Sequence, residues 1–189
     1  MERKEKNTKE KILEEALKLF AQSGYMGTSM NDIASKLGVT KAALYKHYKS
    51  KQEILDSIIE KMNELDIERV KLYEMPEGDL EKVTAGYKET AFDKIKQFTK
   101  VQFLHWTEEE FSSCFRKMMT LEQYREPQMA QLYQNYLASG PLAYMEALFS
   151  GMLGDAEKAR QTALDFYGPI FLLYRIYDGA EDKSHVKKL

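Results

Sequence analysis

The sequence predicts an all-α fold, and three of its features favour that class. Good helix formers, namely alanine, leucine, glutamate, lysine, glutamine and methionine, dominate the 189 residues. Only four prolines and ten glycines are present, so few positions would interrupt a helix. Apolar residues recur three or four positions apart, which is the spacing of one helix face. We therefore expect about nine helices joined by short turns.

Composition also excludes several classes of protein. With 43% hydrophobic residues the chain has enough apolar side chains for a folded core. The single cysteine, Cys114, cannot form an internal disulfide, and the N-terminus has no apolar segment of the signal-peptide kind. The most apolar run, residues 170–177, contains Arg175 and is too short to cross a bilayer. We expect a cytoplasmic protein that does not enter a membrane.

The N-terminal residues are predicted to form a charged arm and then a helix. Residues 1–7 are charged and lack apolar periodicity, so we expect a flexible arm. The helix should begin near Thr8 and end at Gly24. Its buried face is predicted to consist of Ile12, Leu13, Ala16, Leu17 and Phe20.

Residues 28–55 carry three successive helix N-cap signals. They are Ser29 with Asp32, Thr40 before Lys41, and Ser50 with Glu53. The first and third have the spacing of a capping box. Between the first two helices, Gly38 permits the left-handed backbone that ends one helix and lets the next depart at a steep angle. Two compact helices around such a turn are typical of a helix-turn-helix motif.

The same stretch is strongly basic. Residues 33–52 contain five lysines and one histidine but no carboxylate. Residues 1–62 carry 12 Lys+Arg against 9 Asp+Glu, a net of +3, and the remainder carries 16 against 21, a net of −5. A charge run alone is more often a solvated helix face than a binding site. On a capped helix-turn-helix motif it indicates double-stranded DNA as the partner.

The rest of the chain is predicted to be helical throughout. A long helix should cover residues 51–74, and Asp79 should cap the next helix. Further helices are expected over residues 80–106, 108–124, from Pro127 onward, and 155–178. Gly140-Pro141 and Gly168-Pro169 should each kink a helix or restart it.

The last of these helices is apolar around almost its full circumference. Such a helix must be buried on all sides, and a second copy of the chain is the expected cover. A homodimer through a four-helix bundle is therefore predicted. Its candidate interface residues are Tyr144, Leu148, Met152, Phe166, Ile170, Leu173 and Tyr177.

The motif residues resemble the TetR-type repressor DNA-binding domain over its whole length. The residues that carry the resemblance are Thr28, Ile33, Ala34, 37–40, 44–48 and 50–55. The resemblance implies a homodimeric repressor on a palindromic operator, released when a small-molecule effector binds. It implies an N-terminal DNA-binding domain over residues 1–52, extending into the long helix, and a C-terminal ligand-binding and dimerisation domain over residues 53–189.

The resemblance also implies roles for individual residues. Those expected to face base edges are Thr40, Lys41, Ala42, Ala43 and Lys46. Those expected to hold phosphates are Thr28, Tyr45, His47, Lys49 and Lys51. The sequence departs from the family pattern at Ala42 and Tyr48, where many members carry glycine and phenylalanine, and Ala42 would alter which base is approached.

Aromatic and methionine residues of the C-terminal half are candidates for an effector pocket. They are Phe98, Phe103, Trp106, Phe111, Phe115, Met118, Met119, Tyr124, Tyr167, Phe171 and Tyr174. Each residue alone would equally pack an ordinary core, but as a set they favour a pliable pocket for an apolar or aromatic ligand. His105 and Arg116 are near enough in sequence to pair with an anionic ligand.

No catalytic residue, metal site or cofactor is predicted. The three histidines are scattered, and the sequence contains no glycine-rich phosphate loop or nucleophile elbow. Two alternatives to the ligand-responsive repressor remain open. One is a DNA-binding regulator whose C-terminal domain responds to a protein partner or to nothing, and the other is a helical small-molecule-binding protein or enzyme.

Overall fold

The computed structural model describes the backbone of residues 2–188 and the side chains of residues 7–188. Within these residues every regular element is a helix, which confirms the all-α prediction. The helices are α1 (Glu2–Ser23), α2 (Met30–Lys36), α3 (Lys41–His47), α4 (Lys51–Leu72), α5 (Leu80–Glu89), α6 (Phe92–Glu108), α7 (Glu110–Glu122), α8 (Pro127–Leu137), α9 (Ser139–Leu153), α10 (Ala156–Gly179) and α11 (Lys183–Val186).

The chain forms two compact units. The first comprises the residues up to Asp66 together with Glu110–Gln131, and the second comprises Ile67–Glu109 and the residues from Leu132 onward. The chain passes between the units within α4, between α6 and α7, and within α8.

In the first unit α1 packs against α2 and α7, and α2 packs against α3. The predicted face of α1 is buried, with Ala16, Leu17 and Phe20 fully enclosed. The first turns of α4 contribute Ile54, Leu55 and Ile58 to the core. One face of α7 contributes Phe115, Met118 and Met119. Since α7 supplies part of this core, the helix-turn-helix does not rest on N-terminal helices alone.

In the second unit α9 and α10 pack along each other, with α5 against α9 and with α6 and α11 against α10. The rings of Phe103 and Tyr174 stack with centroids 5.4 Å apart, and Tyr177 meets Phe103 edge-on. Within the described residues, none of the helices combines the length and the apolarity that a membrane span requires.

The N-terminal arm is a wrong prediction for residues 2–7, because α1 already begins at Glu2. Met1 lies outside the described residues. Residues 2–6 are straight-chain charged residues, which are good helix formers without any apolar pattern, and glutamates at the start of a helix interact favourably with its dipole.

The predicted single helix over residues 80–106 is also wrong. Thr90 has an extended backbone and ends α5, with its hydroxyl donating to the carbonyl oxygen of Gly86 at 2.8 Å. α6 then begins at Phe92.

The two proline sites behave differently from each other: the chain restarts as α9 at Ser139, just before Pro141, whereas α10 runs uninterrupted through Pro169. A proline in the first turn of a helix costs no backbone hydrogen bond, because the amide groups there have no partner within the helix. Pro169 lies inside α10 and therefore removes one backbone hydrogen bond from it.

Candidate nucleic-acid interface

The start of α2 is fixed by a reciprocal cap. The Ser29 hydroxyl oxygen accepts from the Asp32 amide at 3.2 Å, and the Asp32 carboxylate accepts from the Ser29 amide at 2.8 Å. The Ser29 hydroxyl also donates to this carboxylate at 2.6 Å. The bond from the hydroxyl, and to a smaller extent the bond from the amide, lower the pKa of Asp32. The predicted capping box is confirmed, and it sets where the first helix of the motif begins.

The turn between α2 and α3 requires glycine for its backbone conformation. Gly38 has φ +66, in the left-handed region, and its amide donates to the Ser35 carbonyl oxygen at 3.1 Å. The Val39 amide donates to the Ala34 carbonyl oxygen at 3.0 Å, which completes a Schellman motif. Nothing lies within 4 Å of a Cβ built on Gly38. Glycine is therefore favoured here because of the left-handed backbone conformation, and not because a side chain would lack room.

α3 has one face buried in the core and one face exposed to solvent. The Thr40 hydroxyl caps it by accepting from the Ala43 amide at 3.2 Å, and Leu44 is fully buried on the inner side. Lys41, Ala42, Tyr45 and Lys46 are exposed, and Ala43 and His47 are half-buried. The exposed set is basic and low in profile around Ala42, a surface that fits a major groove about 12 Å wide.

The cap of α4 differs in one half from the predicted box. The Ser50 hydroxyl accepts from the Glu53 amide at 3.1 Å, as expected. The Glu53 carboxylate, however, accepts from the amide of Lys49 and not from that of Ser50. The return bond therefore reaches one residue further back and also fixes the end of the α3–α4 connection.

Two of the predicted phosphate residues are engaged inside the protein. Thr28 is 3% exposed and its hydroxyl donates to the Gly24 carbonyl oxygen at 2.8 Å. Lys51 Nζ donates to the carbonyl oxygens of Tyr25 and Thr28 at 2.6 and 2.8 Å and lies 4.2 Å from the centre of the Tyr25 ring. Burial lowers the pKa of Lys51.

The other basic side chains near the motif face solvent. Lys49 is exposed, and its ammonium lies 3.4 Å from the Tyr45 carbonyl oxygen. The Lys41 ammonium lies 5.8 Å from the centre of the Tyr45 ring. A cleft of about 530 Å³ borders this region. It is lined by residues 26–31 with Lys41, Tyr45 and Lys51.

The predicted effector-pocket residues are divided between the two units. Phe98, Phe103, Trp106, Tyr167, Phe171 and Tyr174 belong to the second unit, and Phe111, Phe115, Met118, Met119 and Tyr124 belong to the first. Trp106 contacts Tyr136 with centroids 6.1 Å apart, and the Tyr167 hydroxyl donates to the Leu137 carbonyl oxygen at 2.9 Å. Tyr124 is 90% exposed, so it lines no enclosed cavity within the single chain.

A buried polar cluster in the second unit escaped the sequence analysis. Arg69 and His105 are both buried and hydrogen-bonded to each other, and Arg69 Nη2 lies 3.2 Å from Glu109 Oε2. His105 Nδ1 lies 2.7 Å from the same oxygen. Burial lowers the pKa of His105, against the opposing effect of the Glu109 carboxylate. Helix periodicity could have indicated that Arg69 is buried, because it follows the buried Met62 by seven residues and therefore lies on the same face of α4.

The predicted dimer residues differ in exposure within the single chain. Leu148 and Tyr177 are buried, Met152, Phe166, Ile170 and Leu173 are half-buried, and Tyr144 is 45% exposed. Other apolar side chains of the same two helices are exposed as well. They are Leu153, Leu164, Leu172 and Ile176.

Comparison with known proteins places the helix-turn-helix in a family. Residues 12–58 match the family described as bacterial regulatory proteins, tetR family. The biofilm operon icaADBC HTH-type negative transcriptional regulator IcaR of Staphylococcus epidermidis is 42% identical over 52 residues, which are 28% of this chain and 28% of IcaR. IcaR of Staphylococcus aureus strain Newman is 41% identical over 51 residues, 27% of each chain. The chain thus spans little more than a quarter of the length of these curated relatives.

Similarity of fold extends over nearly the whole chain. A Clostridium perfringens protein provisionally described as a fatty acid metabolism regulator aligns with a TM-score of 0.59 and 23% identity, over 94% of this chain and 92% of its own. A TetR/AcrR-family regulator of Thermobifida fusca aligns with a TM-score of 0.54 and 20% identity, over 96% and 93%. Residues 12–58 of this chain therefore match the DNA-binding domain of the tetR family of bacterial regulatory proteins, and the chain as a whole has the fold of these solved structures.

Proposed function

We propose that this protein is a sequence-specific transcriptional repressor that binds DNA as a homodimer on a palindromic operator and is released by a small apolar or aromatic effector. The observation that carries the proposal is the outer face of α3, where Lys41, Ala42 and Lys46 are exposed on a helix that caps and core residues hold in place. IcaR, a negative transcriptional regulator, matches this chain over the same domain.

The residues on α3 divide by the part of DNA that they would contact. Lys41 and Lys46 can donate to guanine O6 or N7, and the methyl groups of Ala42 and Ala43 can contact a thymine methyl. Thr40 stands at the start of the helix, where its hydroxyl both caps α3 and faces solvent. These contacts would select the sequence.

Phosphate contacts would set the position of the protein on the duplex without reading sequence. Tyr45 and Lys49 are exposed beside α3, and His47 is half-buried at its end. The cleft that Lys41 and Tyr45 line is open to solvent and large enough to admit a phosphate group. These side chains, and not Thr28, form the proposed backbone-binding set, because the Thr28 hydroxyl is already bonded to Gly24.

The proposed dimer forms through α9 and α10. Both helices carry exposed apolar side chains in the second unit, including Tyr144 at 45%, Leu164 at 44% and Leu172 at 57% exposure. Side chains of this kind on two helices that pack together are the pattern of a four-helix interface between copies. A dimer would place its two recognition helices about 34 Å apart or a multiple of that distance.

The proposed effector site lies in the second unit, where Phe103, Trp106, Tyr167, Phe171 and Tyr174 supply apolar and aromatic surface. An effector would shift the population of conformations away from the one that fits the operator. The coupling would use α4, because this one helix contributes its N-terminal part to the first unit and its C-terminal part to the second.

Selection of bound sequences from random duplex DNA tests the proposal. We expect enrichment of one palindromic sequence by the wild-type protein. A Lys41→Ala/Lys46→Ala variant serves as the matched control, since both side chains are exposed and their loss leaves the core intact. Equal recovery of all sequences by the wild type would contradict the proposal.

A further inference from the structure

The loop of residues 24–28, which joins α1 to α2, is held by side chains from two distant parts of the chain. Gly24 has φ +83 and ends α1, and its carbonyl oxygen accepts from the Thr28 hydroxyl. From the α4 side, the Lys51 ammonium donates to the Tyr25 and Thr28 carbonyl oxygens. Two of its three N–H groups are therefore used inside the protein.

The loop also meets the last residue of α7. Glu122 is fully buried, and a Cβ built on Gly24 would overlap its Oε1 atom and lie 3.1 Å from its Cδ. The carboxylate is thus packed directly on the Gly24 backbone. Among the described residues, neither of its oxygens accepts a hydrogen bond.

A buried carboxylate needs a compensating positive charge. Arg125 is a weak candidate, because its guanidinium is 3.9 Å away and its side chain is 64% exposed. Lys51 is partly buried against the same loop, and the Glu122 carboxylate raises its pKa in opposition to the larger effect of burial. Both charged groups therefore meet residues 24–28, the ammonium at the Tyr25 and Thr28 carbonyl oxygens and the carboxylate at Gly24.

We infer that Lys51 and Glu122 are positioning residues for DNA binding, which together hold the α1–α2 loop, and that Lys51 does not neutralise a phosphate. This inference rests on the proposed function. The loop leads directly into the Ser29 cap of α2 and lines the cleft beside Tyr45. A displaced loop would therefore misplace α2, the cleft and the turn before α3.

The inference gives α7 a part in DNA binding although it lies more than fifty residues beyond the motif. α7 packs along α1 and ends at Glu122, and it begins where the chain enters the first unit from the second. A shift of α7 would reach the DNA-contacting loop through the Glu122 carboxylate.

The salt dependence of operator binding separates a positioning residue from a phosphate contact. Each phosphate contact contributes about 0.9 to the slope of log affinity against log salt concentration. For Lys51→Met we expect an affinity loss of about tenfold, the scale of one charge-assisted hydrogen bond, with the slope unchanged. Lys49→Met is the matched control, because its exposed ammonium is a proposed phosphate contact, and there the slope should fall by about one unit.

Glu122→Gln supplies the second variant, since it keeps the shape of the side chain and leaves every lysine in place. We expect a comparable affinity loss with an unchanged slope, and the double variant Lys51→Met/Glu122→Gln should bind no more weakly than Lys51→Met. Thermal unfolding of each variant confirms that it is folded before binding is measured. The measurement on the single variant Glu122→Gln does not depend on Lys51→Met folding.

Three results would overturn the inference: a slope reduced by one unit in Lys51→Met, wild-type affinity in either single variant, or additive losses in the double variant. All three presuppose a wild-type protein that binds its operator. A wild type without any preferred sequence would instead contradict the proposed function, so the two failures are distinguishable.

Discussion

Two glycines of the first unit share a left-handed backbone but differ in their surroundings, so replacing each by alanine separates conformation from packing. Gly38 has φ +66 and open space where a Cβ would be, whereas Gly24 has φ +83 and the Glu122 carboxylate at that point. The left-handed conformation costs a non-glycine residue about 1–2 kcal/mol. Overpacking of a closed site adds about 1–3 kcal/mol.

Gly38→Ala should therefore lower the free energy of unfolding by about 1–2 kcal/mol, and Gly24→Ala by about 2–5 kcal/mol. Urea unfolding followed by circular dichroism measures both, with the slope m compared to confirm that the unfolded states are alike. Equal losses in the two variants would refute the reasoning, because they would mean that Glu122 does not occupy the space beside Gly24.

Three further predictions concern base reading, pH and assembly. Lys46→Ala should change which sequences are enriched from random DNA, because a base-reading lysine discriminates, and an unchanged preference would contradict its role. Since burial lowers the pKa of His105 below its ordinary 6.5, the folded protein binds fewer protons than the unfolded one as pH falls below that value. The free energy of unfolding should thus be smaller at pH 5.5 than at pH 7.5, and a His105→Gln variant with an undiminished difference would refute this cause. Leu172→Glu should shift sedimentation from dimer to monomer, whereas Leu72→Glu, at a position still more exposed on α4, should not; a dimeric Leu172→Glu protein would contradict the interface.

Local sequence signals predicted the helix-turn-helix well. The cap at Ser29, the cap at Thr40 and the left-handed Gly38 are each decided within four or five residues. Buried positions such as Leu44 followed from helix periodicity for the same reason. Interactions of this range leave a readable pattern in the sequence.

The wrong predictions arose where local signals were ambiguous. Thr90 breaks a helix through its own hydroxyl and an extended backbone, although threonine is tolerated inside many helices. Residues 2–7 have no apolar face, which is typical of an arm, yet charged straight-chain residues are themselves good helix formers. The hydrophobic pattern decides neither the helix break at Thr90 nor the helical state of residues 2–7.

The remaining features depend on contacts between distant residues. Glu122 meets Gly24 across 98 positions, and Arg69 meets His105 across 36. Only packing reveals that a carboxylate fills the space beside a glycine, or that a lysine expected on DNA bonds to two carbonyl oxygens of its own chain. The motif alone assigns Lys51 to a phosphate, whereas its contacts support a different role.

The mass of the complex between the protein and its selected duplex tests the central claim most directly. Sedimentation equilibrium, with the duplex at a concentration well above its dissociation constant, gives the number of chains bound. We predict two chains on one palindromic duplex, with half-sites whose centres are about 10 base pairs apart or a multiple of that spacing. One chain bound to an asymmetric site would contradict the account.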